Sequence, residues 1–151
     1  MYLFYVNCLF VIKHSLLASI LLCLLYKGEE MKLLIVDDSN IMRKAINKYL
    51  KDFDLEVVGC AGDGVEALEL CRTLKPDLVT LDITMPKMDG LTCLTEILKL
   101  DANIKVLVIS ALTDSGTGLK ALKNGAKGFL PKPFTADELQ EEIGLIVKES
   151  M

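Results

Sequence analysis

Residues 31–39 read Met-Lys-Leu-Leu-Ile-Val-Asp-Asp-Ser, a short apolar run that ends in two aspartates. Consecutive aliphatic residues over so few positions are typical of a strand buried on both faces, because a strand with one face in solvent alternates apolar and polar residues. The same kind of run recurs four times, so that the predicted strands are 32–36, 56–60, 78–81, 105–109 and 128–130. Strands of this kind predict a parallel sheet covered by helices on both sides.

Amphipathic stretches separate the strands and predict helices. In the first stretch the apolar residues recur at helical spacing, at Met42, Ala45, Ile46, Tyr49 and Leu50. Residues 135–138 (TADE) form a capping box that starts a helix, and residues 63–66 (DGVE) have the same form with an aspartate cap. Strands that alternate with helices predict an α/β fold of the (βα)5 type, a doubly wound parallel five-stranded sheet with right-handed crossovers.

The composition fits one globular domain of ordinary size. Of the 151 residues 52% are hydrophobic and 25% are charged, and 17 basic against 21 acidic residues give a net charge of −4. This balance provides no overall positive field, so nucleic acid is not an expected partner. The five cysteines are odd in number and never spaced CxxC, which predicts free thiols in a reducing compartment and hence a cytoplasmic protein.

The first thirty residues differ from the rest of the chain. Residues 1–26 are almost wholly apolar, but Lys13 and His14 divide them into two pieces, each shorter than the ~20 residues of a membrane span. We expect Met31 to be the true initiator and residues 1–30 to be an extension from a mis-assigned start. A membrane anchor in residues 1–26, the one source of membrane contact, and a buried extra helix are the alternatives. In each case the domain is 31–151.

Polar residues follow the predicted strands at the point where each strand ends. They are Asp37 and Asp38 after the first strand, Asp82 after the third, Ser110 after the fourth and Lys132 shortly after the fifth. The carboxyl ends of parallel strands lie along one edge of the sheet, where the functional groups of such folds gather. Three carboxylates at close range favour a cation between them, and Mg²⁺ is the hard, oxygen-preferring ion that suits them.

This set of groups suits phosphoryl transfer, whose transition state requires charge neutralisation and in-line positioning. Lys132 would supply a fixed positive charge and Ser110 a hydroxyl donor, while Asp82 would be the nucleophile, since carboxylates form aspartyl phosphates. Taken singly, the residues have simpler explanations. Asp38 or Ser39 suits a helix cap, and Asp82 or Lys132 could be a solvated surface residue. Five complementary groups at four strand ends favour the phosphoryl site.

These residues lie in motifs that resemble the receiver domain of bacterial two-component response regulators, most closely the single-domain, CheY-like group. The motifs are residues 33–39 (LLIVDDS), 82–90 (DITMPKMDG), 110–111 (SA) and 132–134 (KPF). The resemblance covers residues 31–148 and implies a flavodoxin/CheY-like sheet with strand order 2-1-3-4-5.

The resemblance also implies the roles of the acidic residues. Asp82 would be the phosphoacceptor. Asp38, Asp82 and the backbone carbonyl of Thr84 would bind Mg²⁺ directly, with Asp37 acting through a water molecule. Apart from Mg²⁺-dependent phosphorylation of its own aspartate and loss of that phosphoryl group, no enzyme activity is expected.

The remaining roles implied by the resemblance concern switching. Lys132 would pair first with Asp82 and then with a phosphoryl oxygen, Ser110 would move to the phosphoryl group, and Phe129 would turn inward behind it. Because Gly116 and Gly118 fall in the first turn of the fourth helix and glycine disfavours helix, we expect this helix end to be loose and to shift on activation.

The implied partners are a sensor histidine kinase as phosphodonor and a downstream protein such as a flagellar motor switch component. The implied contact surface is helix four, strand five and helix five, at about 113–149. A phosphorelay intermediate or kinase-feedback module outside chemotaxis is the alternative. A haloacid dehalogenase-like phosphatase is disfavoured because Thr84 stands where its second aspartate is needed, and a flavodoxin-like FMN binder because Asp37 and Asp38 would repel the phosphate. The intact acceptor set argues against a phosphate-independent interaction module.

Overall fold

The apolar runs form five parallel strands of one sheet in the computed structural model, which describes residues 30–111 and 115–148. The strands are β1 (Met31–Val36), β2 (Leu55–Ala61), β3 (Leu78–Asp82), β4 (Lys105–Ser110) and β5 (Gly128–Pro131). Their order across the sheet is β2-β1-β3-β4-β5, which confirms the predicted order. The centre of the sheet is therefore β3, between β1 and β4.

Helices cover both faces of this sheet. They are α1 (Asn40–Tyr49), α2 (Gly64–Leu74), α3 (Gly90–Leu100), α4 (Ser115–Lys123) and α5 (Ala136–Lys148). One face packs against α1 and α5 through residues such as Ile46 and Ile143. The other packs against α2, α3 and α4, with Leu94 and Ala121 fully buried. The predicted doubly wound architecture is confirmed.

The continuous apolar runs are explained by this double cover. In β1, Leu34 and Val36 point into the layer of α2, α3 and α4, whereas Leu33 and Ile35 point into the layer of α1 and α5. Burial of each such side chain stabilises the fold by about 1.5–3 kcal/mol before conformational entropy is counted. Since neither face of the strand meets solvent, neither face selects polar residues.

Four strands end one residue later than the predicted apolar runs, and the first of them, β2, ends at Ala61. β3 includes Asp82, β4 includes Ser110 and β5 includes Pro131. The reason is the strand pairing, because Asp82 is in register with Ile109, and Ser110 with Pro131. Two of the expected site residues thus occupy the last position of a strand, where pairing with the neighbouring strand fixes their backbone.

The two predicted capping boxes differ in the structure. At α5 the box is complete: the Thr135 N–H donates to Glu138 Oε2 (2.7 Å) and the Glu138 N–H donates to Thr135 Oγ1 (3.2 Å). At α2 the Asp63 side chain accepts from the Glu66 N–H (2.9 Å), as predicted. The Glu66 carboxylate, however, accepts from the Gly62 N–H (2.7 Å) and not from the cap residue itself. It thereby holds the loop that precedes the helix.

The mis-assigned start was predicted for residues 1–30, with an anchor in residues 1–26 or an extra helix as the alternatives, and of these residues all but Glu30 lie outside the described part of the chain. Across residues 30–111 and 115–148, no helix has the combined length and apolarity needed to cross a bilayer. The chain from Met31 onward groups into one compact unit.

A buried hydroxyl in the central strand yields a stability prediction. Thr80 is 1% exposed, and among the described residues its Oγ1 has no hydrogen-bond partner. Thr80→Val keeps the shape and removes the unpaired hydroxyl, so we expect the free energy of unfolding to rise by about 1 kcal/mol. Urea denaturation measures the change. Thr95→Val is the control, since Thr95 Oγ1 donates to the Leu91 carbonyl (3.0 Å) and should give no gain. A loss of stability in Thr80→Val would contradict the prediction.

Candidate functional site

The expected site residues come together at the carboxyl edge of the sheet. Asp37 directly follows β1, and Asp82 ends β3, which pairs with β1 through Val36 and Leu81. Lys132 directly follows β5, and its backbone N–H donates to the Ser110 carbonyl (2.7 Å). The parallel ladder therefore brings the ends of β1, β3, β4 and β5 to one place.

Three carboxylates form a group that could hold a metal ion. Oxygen atoms of Asp37, Asp38 and Asp82 all lie within 4.8 Å of one another. Asp37 and Asp82 are 1% and 4% exposed, whereas Asp38 is open to solvent. The donor set is all oxygen and strongly anionic, which fits a hard divalent cation reaching the site from the side of Asp38.

Lys132 bonds two of these carboxylates. Its Nζ lies 2.7 Å from Asp37 Oδ2 and 3.1 Å from Asp82 Oδ2. The resemblance implied the pair with Asp82 but gave Asp37 only a water-mediated role toward the metal. Here Asp37 is also a direct partner of the lysine, and its second oxygen accepts from the Ser39 N–H (2.8 Å). Both oxygens of this buried carboxylate are thus engaged by the protein.

Burial and neighbouring charge shift the pKa of Asp82, the candidate acceptor, in opposite directions. Desolvation is the largest influence and raises the pKa of Asp82 above its ordinary value, while the charge of Lys132 and the Thr84 N–H bond lower it. That N–H lies 3.1 Å from Asp82 Oδ1. For Lys132, burial lowers the pKa, but the bonds to Asp37 and the charge of Asp82 outweigh it and raise the pKa overall. The lysine therefore keeps its positive charge at neutral pH.

Gly90, the first residue of α3, allows the helix to approach the acceptor backbone. The Gly90 N–H donates to the Ile83 carbonyl (2.9 Å). A Cβ at this position would lie 2.4 Å from Ile83 Cα and 2.5 Å from the backbone oxygen of Asp82. These atoms belong to the main chain and cannot rotate away, so only glycine fits beside the end of β3.

This close approach predicts a costly substitution. Gly90→Ala must displace α3 or the end of β3, and we expect it to lower the free energy of unfolding by about 3 kcal/mol. Gly144→Ala in α5 is the matched control, because nothing lies within 4 Å of its added methyl group. There the better helix propensity of alanine should raise stability by about 1 kcal/mol. Urea denaturation of both variants checks the contrast, and equal effects would refute the steric argument.

The two expected switch residues lie on β4 and β5. Ser110 is fully buried at the end of β4. Phe129 is half-buried in β5 and packs on the side of the sheet that carries α2, α3 and α4. Thr84 is exposed in the loop after β3, and the Lys132-Pro133 peptide bond is cis.

Two contacts at the site involve residues that sequence reasoning missed. Arg43 in α1 donates from Nη1 to the backbone carbonyl of Asp37 and so braces the loop after β1. Lys87, in the left-handed region at φ 66°, forms an ion pair with Asp63, the cap of α2. Arg43 lies in α1 and Lys87 within the 82–90 motif, but the sequence does not indicate either contact, because each depends on how the loops pack at the edge of the folded sheet.

Comparisons with known proteins agree with this fold. A model of the response regulator receiver domain matches residues 33–144. The chain is 49% identical over 113 residues to chemotaxis protein CheY of Listeria monocytogenes, and the alignment covers 75% of this chain and 95% of that protein. It is 44% identical over 131 residues to a protein-glutamate methylesterase/protein-glutamine glutaminase of Pyrococcus horikoshii, covering 82% of this chain and 35% of that protein. A chain in the crystal structure of the CheX–CheY–BeF3–Mg²⁺ complex from Borrelia burgdorferi matches with a TM-score of 0.75 and 36% identity, covering 78% of this chain and 89% of that one.

Proposed function

This chain belongs to the response regulator receiver domain family, and from that premise we propose that Asp82 is the phosphoacceptor of a phosphorylation-activated switch protein. The observation that carries the proposal is the setting of its carboxylate. Asp82 is buried, bonded to Lys132, and grouped with Asp37 and Asp38 at the carboxyl edge of the sheet. A nucleophile beside a fixed cation and a metal-binding group is what phosphoryl transfer requires.

We further propose that the group binds Mg²⁺. Asp38 and Asp82 would be direct ligands, together with the backbone carbonyl of Thr84, while Asp37 would act through water. Three carboxylates against the single charge of Lys132 leave negative charge to be balanced, which supports a second cation there. When bound, the ion would neutralise charge on the oxygens of the transferring phosphoryl group.

The chain's own residues then have distinct tasks in the reaction. An Asp82 oxygen attacks the phosphorus of a phosphohistidine, an O–P bond forms as the N–P bond breaks, and the leaving imidazole nitrogen takes up a proton. Lys132, already within reach, exchanges its bond to the carboxylate for a bond to a phosphoryl oxygen. The Ser110 hydroxyl donates to another of these oxygens. The acyl phosphate carries about −1.5 to −2 charges in place of the single negative charge of the Asp82 carboxylate. This added negative charge and the new phosphoryl oxygens are the signal to which the switch residues respond.

The proposed partners follow from the family. A receiver domain takes its phosphoryl group from a sensor histidine kinase and passes its state to a downstream protein. We propose chemotaxis as the pathway and a flagellar motor switch component as the downstream protein, because this chain spans 95% of the Listeria CheY. The contact surface would be α4, β5 and α5. A phosphorelay or kinase-feedback role remains the second candidate.

Acetyl phosphate labelling tests the reaction. We expect intact protein incubated with acetyl phosphate and Mg²⁺ to gain the mass of one phosphoryl group, and to gain none when EDTA replaces Mg²⁺. Peptide mapping after borohydride reduction should identify residue 82. Labelling that is equally fast with EDTA would contradict the proposed Mg²⁺ requirement, and labelling at another residue would contradict the assignment of Asp82 as the acceptor.

A motility assay separates the two pathway candidates. In cells lacking their own chemotaxis response regulator, phosphorylatable protein should restore spreading through soft agar if it reaches the motor switch. Spreading that stays absent although the protein is made and phosphorylated would favour the phosphorelay or feedback role.

A further inference from the structure

The ring of Phe129 lies against the first turn of α4 at Gly118. A Cβ on Gly118 would be 3.2 Å from the ring atom Cδ1 and 3.3 Å from Cε1 and Cγ. Side-chain carbons rarely approach this closely, so the ring takes up the space that a methyl group at position 118 would need. Gly118 and Ala121, one turn later, are both buried on this side of the helix.

Gly116, the other glycine of this turn, does not face the Phe129 ring. Gly116 is exposed and lies two residues earlier, and residues two apart on a helix do not face the same way. Both glycines weaken the helix, because glycine gains more backbone freedom on unfolding than any other residue. Only at Gly118 does the structure give a packing reason for the missing side chain, and that reason is Phe129.

Strand β5 connects this contact to the site. Phe129 pairs with Val108 of β4, and β5 ends one residue before Lys132. In the same structure Lys132 bonds the free carboxylate of Asp82 directly. The ring contact at Gly118 and the bond between Lys132 and Asp82 are therefore linked through one short strand.

We infer that Gly118 is a positioning residue of the switch, because its missing side chain lets the ring of Phe129, the expected switch residue, lie against α4. A methyl group at residue 118 would crowd the ring in this position, so it should change the balance between this ring position and the one that the phosphorylated protein favours. This inference rests on the proposed function and adds a residue that sets how readily the switch turns.

A double-mutant cycle in unphosphorylated protein measures the contact. Gly116→Ala should raise the urea midpoint by improving the helix, whereas Gly118→Ala should raise it less or lower it, because the ring resists the methyl group. In a Phe129→Ala background the two substitutions should give equal rises, since the ring is gone. If Phe129→Ala does not fold, Phe129→Leu serves as the background. Equal rises in the parent protein would overturn the inference.

Affinity for a phosphoryl mimic measures the switch. We expect the affinity of Gly118→Ala for beryllofluoride in the presence of Mg²⁺ to differ at least about threefold from that of Gly116→Ala by calorimetric titration, because both substitutions improve the helix but only the one at residue 118 crowds the ring. Equal affinities of Gly118→Ala and Gly116→Ala would overturn the inference even if the stability cycle shows the contact. If the parent protein itself fails to bind beryllofluoride, the proposed function is overturned, and the inference with it. The two failures can be told apart, because the stability cycle tests the contact between Phe129 and Gly118 without a phosphoryl mimic.

Discussion

Replacing Asp82 by Asn is expected to lower phosphorylation by acetyl phosphate more than about 100-fold, because an amide oxygen is a poor nucleophile and forms no stable acyl phosphate. The change is nearly isosteric at a residue that is 4% exposed, so the fold should remain. Phosphoryl incorporation over time, read by the mass of the intact protein with Mg²⁺ present, gives the ratio.

Asp89→Asn is the matched control for this experiment. Asp89 ends the loop that follows Asp82 and caps α3, where its side chain accepts from the Thr92 N–H (3.0 Å). Asparagine caps a helix about as well as aspartate. Its rate should equal that of the parent protein. Full labelling of Asp82→Asn, or an equal loss in Asp89→Asn, would remove the basis for naming Asp82 as acceptor.

The substitution Asp82→Asn should also stabilise the unphosphorylated protein at neutral pH. Burial raises the pKa of Asp82, so the folded state holds its proton more tightly than the unfolded chain does. The contribution of the Asp82 carboxyl group to the free energy of unfolding is then fully present below its ordinary pKa of 3.8, and it is lost as the pH rises through the raised pKa. In EDTA, the urea midpoint of Asp82→Asn should therefore exceed that of the parent protein by more and more as the pH rises through this raised pKa. An advantage that shrinks as the pH rises would mean that burial does not dominate.

Replacing Lys132 by Met is expected to lower the free energy of unfolding by about 3–5 kcal/mol in EDTA, because removal of one partner leaves buried charges uncompensated. Asp37 and Asp82, its two partners, are 1% and 4% exposed and lie within one carboxylate group. Methionine keeps the length and apolar stem of lysine, so the loss reports the charge. Thermal and urea unfolding measure it.

A metal ion should restore much of that loss. If Mg²⁺ binds the three carboxylates, it supplies the missing positive charge, so saturating Mg²⁺ should raise the stability of Lys132→Met more than that of the parent protein. Lys87→Met is the control, because its ion pair with Asp63 is exposed on the lysine side (67%) and screened by solvent, and its removal should have a much smaller effect. No difference in the response to Mg²⁺ between Lys132→Met and the parent would count against a metal at these carboxylates.

Much of this architecture could be predicted because burial on both faces leaves a direct trace in the sequence. A run such as residues 33–36 has to be apolar at every position once helices cover both sides of β1. The ends of the runs then locate Asp37, Asp82 and Ser110 at one edge of the sheet without knowledge of any contact. The boundaries were less exact, since pairing with Ile109 and Pro131 extends the strands past the last apolar residue.

The sequence by itself determined the fold class, the edge that carries the polar residues, and the identity of the acidic group, because periodicity and residue type report burial and charge. Only the tertiary structure decided that Lys132 bonds Asp37 as well as Asp82, that Gly90 touches the acceptor backbone, and that Phe129 rests on Gly118. These contacts join residues distant in the chain or on different elements. Their distances depend on the register and packing of the folded sheet, on which local sequence patterns carry no information.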